Sequence, residues 1–191
     1  MLYIISSVAG GGKSTLISKV LEKHPSIHFS ISYTSRPIRK NDEPGINYQF
    51  VSKSEFEKLI KEDFFFEYAL VHDNYYGTPK KFIEEEIRKG NKVILDIDVQ
   101  GFRIIKNKFN DLRSIFILPP SEEVWISRLR NRGTDSEEII EKRIKNGRGE
   151  LKAVDEYDFK IINDKLETAV DELEKILFLN EDRIQKVINE L

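Results

Sequence analysis

Three consecutive glycines, Gly10, Gly11 and Gly12, run directly into Lys13, Ser14 and Thr15. Glycines let backbone N–H groups close on an anion without interference from a Cβ. A lysine placed here reaches terminal phosphates, and the hydroxyl after it suits magnesium. The apolar residues Ile4 and Ile5 in front, and helix formers behind, would set this loop at the mouth of a helix. Free N–H groups and the helix dipole there add to the pull on an anion. The usual spacing has a glycine five residues before Gly12, and this chain has Ser7 there.

Further groups carry chemistry of their own. Arg36 and Arg39 lie three apart around Pro37, with Tyr48 downstream. Guanidinium forks match phosphate oxygens, a phenol adds a donor, and the proline stiffens the chain so that both arginines can meet one phosphate. The competing reading is a solvated basic stretch with Lys40. Glu67 sits in Phe64-Phe65-Phe66-Glu67-Tyr68-Ala69, ahead of Asn74-Tyr75-Tyr76-Gly77-Thr78. A carboxylate among aromatics suits a guanine edge, whose N1–H and amino group are adjacent donors; adenine lacks that N1–H. Composition alone favours a phenylalanine core with Glu67 exposed beside it. Asp96 and Asp98 end the apolar run Val93-Ile94-Leu95. They can serve magnesium through water, face a substrate base, or cap the next helix. Arg128, Arg130, Arg132 and Arg143 form an arginine-rich segment of the kind that closes on a transferring phosphoryl group, against the reading of a solvated, ion-paired helix. His24, His28 and His72 match no ligand spacing.

Leu2–Ser6 reads as a buried parallel strand and Lys13–Lys23 as a helix stopped by His24-Pro25. Strands are predicted at Ile27–Tyr33, Lys92–Asp98, Arg113–Leu118 and Lys160–Ile162. Helices are predicted at Ser54–Lys61, from Pro79 as first helical residue to Lys89, after Asp98 through Asn107, after Ser121, from Ser136 to about Asp155, at Leu166–Phe178 and at Asp182–Leu191. Gly147 and Gly149 weaken the Ser136 helix, which predicts a mobile end near Arg143. Strands alternating with helices imply an α/β fold with a parallel sheet covered on both faces. Ligands sit at the carboxyl ends of such strands, where Ser7–Thr15, Ser32–Arg36 and Asp96–Gln100 would meet. From Ser32 to Pro79 the texture turns to arginines, tyrosines and turn residues, which marks an inserted substrate-binding subdomain.

The 191 residues suffice for one domain, and 34% charged with 39% apolar residues suits a globular protein. A net charge of −2 argues against nucleic acid or a membrane surface as partner. No apolar run is long enough to span a bilayer, and Met1-Leu2-Tyr3-Ile4-Ile5 lacks a signal peptide's basic region. The absence of cysteine excludes disulfides and thiolate metal sites and fits the cytoplasm.

Taken together, these motifs resemble the guanylate kinase family over roughly Leu2 to Phe178. The resemblance rests on the loop through Thr15, Ser32/Thr34/Arg36/Arg39, Asn74–Thr78, Leu95–Gly101, Ile117–Ser121, Arg128–Thr134 and Ile162–Asp164. It implies a P-loop kinase three-layer fold with a central parallel sheet, a GMP-binding insertion and a small lid. The implied bounds are a core of 1–31, 80–121 and 142–191, an insertion of 32–79 and a lid of 122–141. The implied reaction passes the γ-phosphoryl of ATP to GMP with Mg2+, and no obligate protein partner. By the same resemblance, Gly10, Gly11, Gly12, Lys13, Ser14 and Thr15 hold ATP phosphates, with Ser14 on the metal and Asn163 on the adenine side. Arg36, Arg39, Tyr48 and Tyr76 grip the GMP phosphate; Ser32, Glu67, Thr78 and Asp98 face its base. Lys13, Arg36, Arg128, Arg132 and Arg143 form the catalytic set.

Ser7, Val8 and Ala9 depart from the family's common Gly-Pro-Ser. A side chain at Ser7 narrows the loop unless Gly10 and Gly11 compensate, so Ser7→Gly is expected to leave activity similar or higher. Two alternatives remain: a P-loop kinase for another monophosphate, which would lack the guanine-reading carboxylate, and a catalytically weak guanylate-kinase-like interaction module. Such modules tend to lose the loop lysine and the substrate arginines present here, and Ser7 alone favours one.

Overall fold

The strands Leu2–Ser7, Lys92–Asp96 and Leu112–Leu118 are buried through their middles because helices cover their sheet on both faces. β1 (Leu2–Ser7) runs into the glycine loop and then α1 (Lys13–Lys23), and β2 (Ile27–Ser30) follows. β3 (Tyr33–Thr34), β4 (Gln49–Phe50), α2 (Lys53–Lys61), β5 (Phe65–Val71) and β6 (Asn74–Pro79) make up the inserted region. The chain continues through α3 (Lys80–Arg88), β7 (Lys92–Asp96), α4 (Val99–Lys106) and β8 (Leu112–Leu118). It ends with α5 (Glu122–Arg130), α6 (Glu137–Leu151), β9 (Phe159–Ile162) and α7 (Leu166–Phe178). The computed structural model describes residues 1–39, 42–46, 48–71, 73–131 and 136–179. Arg132, Gly133, Thr134 and the helix expected over Asp182–Leu191 lie outside the described residues.

The main sheet has the order β2-β7-β1-β8-β9, and every pairing in it is parallel. Alternate residues of its strands feed two cores. Leu2, Ile4, Val93, Leu95 and Phe116 pack with Phe102 and Trp125 on one face. Tyr3, Ile5, Ile94, Ile115 and Ile117 pack with Ile17, Val20 and Leu173 on the other. β1 is central, with β7 and β8 on either side. The crevice at its carboxyl end is therefore the switch point where ligands of such sheets bind.

A second sheet, order β4-β3-β6-β5, stands apart from the first. The strand expected to reach Tyr33 stops at Ser30, and Tyr33–Thr34 belongs to this second sheet. The β5–β6 hairpin was not legible because its pattern is inverted. Phe65, Glu67 and Ala69 point inward, while Tyr68 and Leu70 are exposed. An acid inside and apolar residues outside defeat a hydrophobic-periodicity reading.

Helix starts follow their caps. Ser52, Ser121 and Ser136 accept from Glu55, Val124 and Ile139 N–H groups. β7 ends two residues earlier than expected because Asp98 turns to cap α4. Pro79 is the cap of α3 rather than its first residue, with an extended ψ of 124°. α6 ends at Leu151, short of Asp155, and a 3-10 turn covers Val154–Glu156. Gly147 is no weak point in that helix: a Cβ there would stand 2.4 Å from Trp125 Cζ2, so the glycine lets α6 press against α5. Among the described residues no helix is long and apolar enough to cross a membrane.

Candidate active site

One cavity collects the chemistry. Its wall takes Ser7, Ala9 and Lys13 from the loop and Asp96, Ile97 and Asp98 from the end of β7. The inserted region contributes Ser32, Arg39, Tyr48, Glu67, Ala69, Val71, Tyr76 and Gly77, and α6 contributes Arg143 and Glu150.

The loop end is built from backbone. Gly12 caps α1 in the left-handed region, φ 90°, where a Cβ would also meet Asn163 Nδ2 at 2.2 Å. The first helical bond is Leu16 N–H to Gly12 carbonyl, 3.1 Å. The N–H groups of Lys13, Ser14 and Thr15 therefore stand at the helix mouth without helical acceptors. Asn163, 6% exposed, donates from Nδ2 to the Gly11 carbonyl at 3.0 Å. Trp125 Nε1 donates to the Ala9 carbonyl at 2.7 Å, which ties α5 to the loop. Arg128 Nη1 donates to the Asn163 carbonyl at 3.0 Å, placing its guanidinium beside the loop rather than in the cavity wall.

Lys13 contacts the Asp96 carboxylate. Burial lowers the Lys13 ammonium to about 8, while Asp98 and Glu150 hold it up. Glu150 is itself raised to about 7, first by burial and then by Asp98, with Lys13 opposing. Asp98 Oδ1 accepts from Gly101 N–H at 2.9 Å, so Asp98 both caps α4 and lines the cavity.

At the far end, Glu67 is 5% exposed and accepts from Thr78 Oγ1 at 2.6 Å. Burial raises its carboxyl to about 7, with the Thr78 hydrogen bond opposing. The reading in which Glu67 is a solvated neighbour of a phenylalanine core is thereby excluded. Arg36 is 7% exposed and lies over the rings of Tyr48 and Phe50, 5.5 and 5.4 Å away. Its Nη1 donates to Asp42 Oδ2 at 2.8 Å, and that same oxygen accepts from Arg39 N–H at 2.7 Å. The rings of Tyr48 and Tyr76 stand 5.8 Å apart.

Lys13, Ser32, Arg39, Tyr48, Glu67, Tyr76, Asp98 and Arg143 thus share one cavity, while Arg36 lies against the ring of Tyr48, Thr78 holds Glu67 and Asn163 holds the loop at Gly11. Sequence reasoning passed over Asp42, Glu150 and the Lys13 contact of Asp96. Asp42 looked like part of a turn, and Glu150 was one acid among many on a charged helix. Asp96 did carry a signal, its place at a strand end two residues from Asp98.

A glycine loop between the central strand and a helix, with its lysine at the sheet's switch point, defines a P-loop nucleotide-binding protein. A second sheet facing that loop with arginines, tyrosines and a buried carboxylate adds a place for an acceptor. The chain belongs to the guanylate kinase family, whose model matches residues 1–180. It is 43% identical to a guanylate kinase of Hydrogenovibrio crunogenus over 197 aligned residues, covering all of this chain and 96% of the relative. It is 47% identical to a guanylate kinase of Vibrio parahaemolyticus, covering 92% of this chain and 86% of the relative. The crystal structure of guanylate kinase from Anaplasma phagocytophilum superposes with a TM-score of 0.77 at 32% identity, covering 93% of this chain and 84% of that one.

Proposed function

We propose that this chain transfers the γ-phosphoryl group of ATP to GMP, giving ADP and GDP. The observation that carries the reading is Glu67, a buried carboxylate at the far end of the cavity that begins at Lys13. A carboxylate in that setting rewards the paired donors of guanine and penalises a base that lacks them.

The division of labour follows from position. Gly10, Gly11, Gly12, Lys13, Ser14 and Thr15 receive the ATP phosphates, and Asn163 steadies both loop and adenine. Ser32, Glu67, Thr78 and Asp98 orient the guanine base, with Thr78 acting through its bond to Glu67. Arg36, Arg39, Tyr48 and Tyr76 bind the GMP phosphate. That phosphate is the nucleophile and needs no general base; the protein aligns it with the γ-phosphoryl and answers the spreading charge with Lys13, Arg128 and Arg143. Arg132 is assigned the same task from sequence. Ser14 Oγ and the Asp96 carboxylate are hard oxygen donors beside Lys13, which suits Mg2+ held mainly by nucleotide phosphates. When bound, that ion neutralises phosphate charge and helps orient ATP. The division into core (1–31, 80–121, 142–191), insertion (32–79) and lid (122–141) is supported by the second sheet falling wholly within 32–79. The cysteine-free sequence supports the cytoplasm as its compartment.

The test is ADP release with ATP, Mg2+ and a panel of GMP, AMP, UMP and dTMP. GMP is expected to be preferred by at least about 100-fold. Preference for another base would overturn the acceptor, and no turnover at high enzyme concentration would favour an interaction module.

A further inference from the structure

The residue that departs most from the usual phosphate loop holds a specific place in this one. Ser7 is the last residue of β1 and pairs in register with Ile117 of β8. Its Oγ donates to the Ile117 carbonyl at 2.8 Å and lies 3.2 Å from the Val8 carbonyl. That Val8 carbonyl also accepts from Gly11 N–H at 3.0 Å, the bond that closes the loop's turn. A Cβ built on Gly11 would stand 2.0 Å from Ser7 Oγ. Real Cβ atoms do not approach so closely, so residues 7 and 11 share one space that holds one small group. In this chain the Ser7 hydroxyl fills it.

We propose that Ser7 is a positioning residue of the phosphate loop, its hydroxyl bracing Gly11 from the rigid end of the sheet and making glycine obligatory at position 11. The brace meets a second hold from the opposite side, since the Gly11 carbonyl accepts from Asn163 Nδ2 at 3.0 Å. Gly11 is thus fixed between a strand and the segment after β9. A loop whose N–H groups are fixed before the nucleotide arrives loses less entropy on binding it. The proposal rests on the loop being the ATP site. It reverses the sequence-based expectation that a smaller residue at position 7 is neutral or better, because removing the hydroxyl leaves Gly11 without its brace.

The test is a double-mutant cycle of Ser7→Ala, Gly11→Ala and the two combined. ATP affinity, GMP affinity, kcat and melting temperature are measured for each protein. Ser7→Ala is expected to raise the KM for ATP about threefold, the loss of one neutral hydrogen bond shared with the loop. Gly11→Ala alone should raise it by about 30-fold or more, because the new methyl meets the Ser7 hydroxyl. The double variant puts that methyl where the hydroxyl was and should return to within about fivefold of wild type. GMP affinity, measured by titration calorimetry, should stay within about twofold in all three, a split that general destabilisation does not produce. A double variant no better than Gly11→Ala would overturn the bracing role while leaving the ATP loop in place. Unchanged ATP use in every variant would overturn the loop assignment itself. Should Gly11→Ala fail to fold, Ser7→Ala decides: equal effects on ATP and GMP, or none on either, would overturn the proposal.

Discussion

Burying the Glu67 carboxyl costs free energy unless a donor or a proton answers it. Thr78 supplies one donor, and because burial pushes the carboxyl to about 7, a proton answers the rest below that pH. In the proposed site guanine, donating from both N1–H and the amino group, would bind the carboxylate and compete with that proton. GMP affinity should therefore fall about tenfold between pH 8 and pH 6, following ionisation through about 7. Glu67→Gln should remove that dependence and weaken GMP by at least about 100-fold, with ATP affinity within about twofold. Titration calorimetry across pH checks both, and equal losses for the two nucleotides would refute the base-reading role. The same group sets a stability trend in the ligand-free protein. Its folded value lies above the ordinary 4.5, so its stabilisation is full below 4.5 and is lost as pH rises to about 7. The loss amounts to roughly 3 kcal/mol. Glu67→Gln should match wild type in melting temperature near pH 4.5 and exceed it near pH 8. The importance of Glu67 was half legible in the sequence: its aromatic setting suggested a guanine reader, but only the fold showed which way it pointed. Asp42 was not legible, because a turn-forming aspartate gives no sign that it holds Arg36 and the Arg39 backbone together.

Elements were readable where one local rule decided them. α1 and α7 have the bounds expected from a proline stop and from apolar periodicity. The small sheet was not readable, because its strands are short and β5 turns Tyr68 and Leu70 outward for the sake of Glu67 and Ala69 within. α6 shows a further limit: two glycines of equal propensity cost have opposite meanings in space. Gly147 lies against Trp125, which is fully buried and carries the bond to the loop, whereas a Cβ on Gly149 would meet nothing within 4 Å. Gly147→Ala should force α6 from α5 at a cost of about 1–3 kcal/mol. Its melting temperature should drop by about 2–12 °C, and turnover should fall as Arg143 and the Trp125 contact move. Gly149→Ala should raise the melting temperature by about 2–4 °C through helix propensity alone. Differential scanning calorimetry of both variants separates packing from propensity; equal shifts would mean that Trp125 does not set the helix position.

At the scale of the whole molecule, the cavity belongs to no single layer. The loop and Asp98 come from the parallel core, Glu67 and Arg39 from the second sheet, and Arg143 and Glu150 from α6. Arg39 lines the cavity from the insertion and Arg143 from α6, so an anion between them is attracted to both walls. In the proposed complex a GMP phosphate is that anion, and its base would span from Glu67 in the insertion to Asp98 on the core. GMP is therefore expected to draw the second sheet toward the parallel core by itself, before ATP completes the site. The cysteine-free chain makes this measurable with two engineered labels, Ser54→Cys on α2 and Asp171→Cys on α7, both at exposed positions. Energy transfer between dyes at these sites should report a shortening on the order of 5 Å with GMP and less with an ATP analogue alone. In the Glu67→Gln background the same shortening should need at least about 100-fold more GMP. Raising salt from 0.15 to 1 M shortens the screening length from about 8 to about 3 Å and should shift the GMP midpoint upward. An unchanged distance at saturating GMP would mean that the two sheets form one rigid body, and would remove charge-driven closure from the account of how Arg39 and Arg143 meet the phosphate.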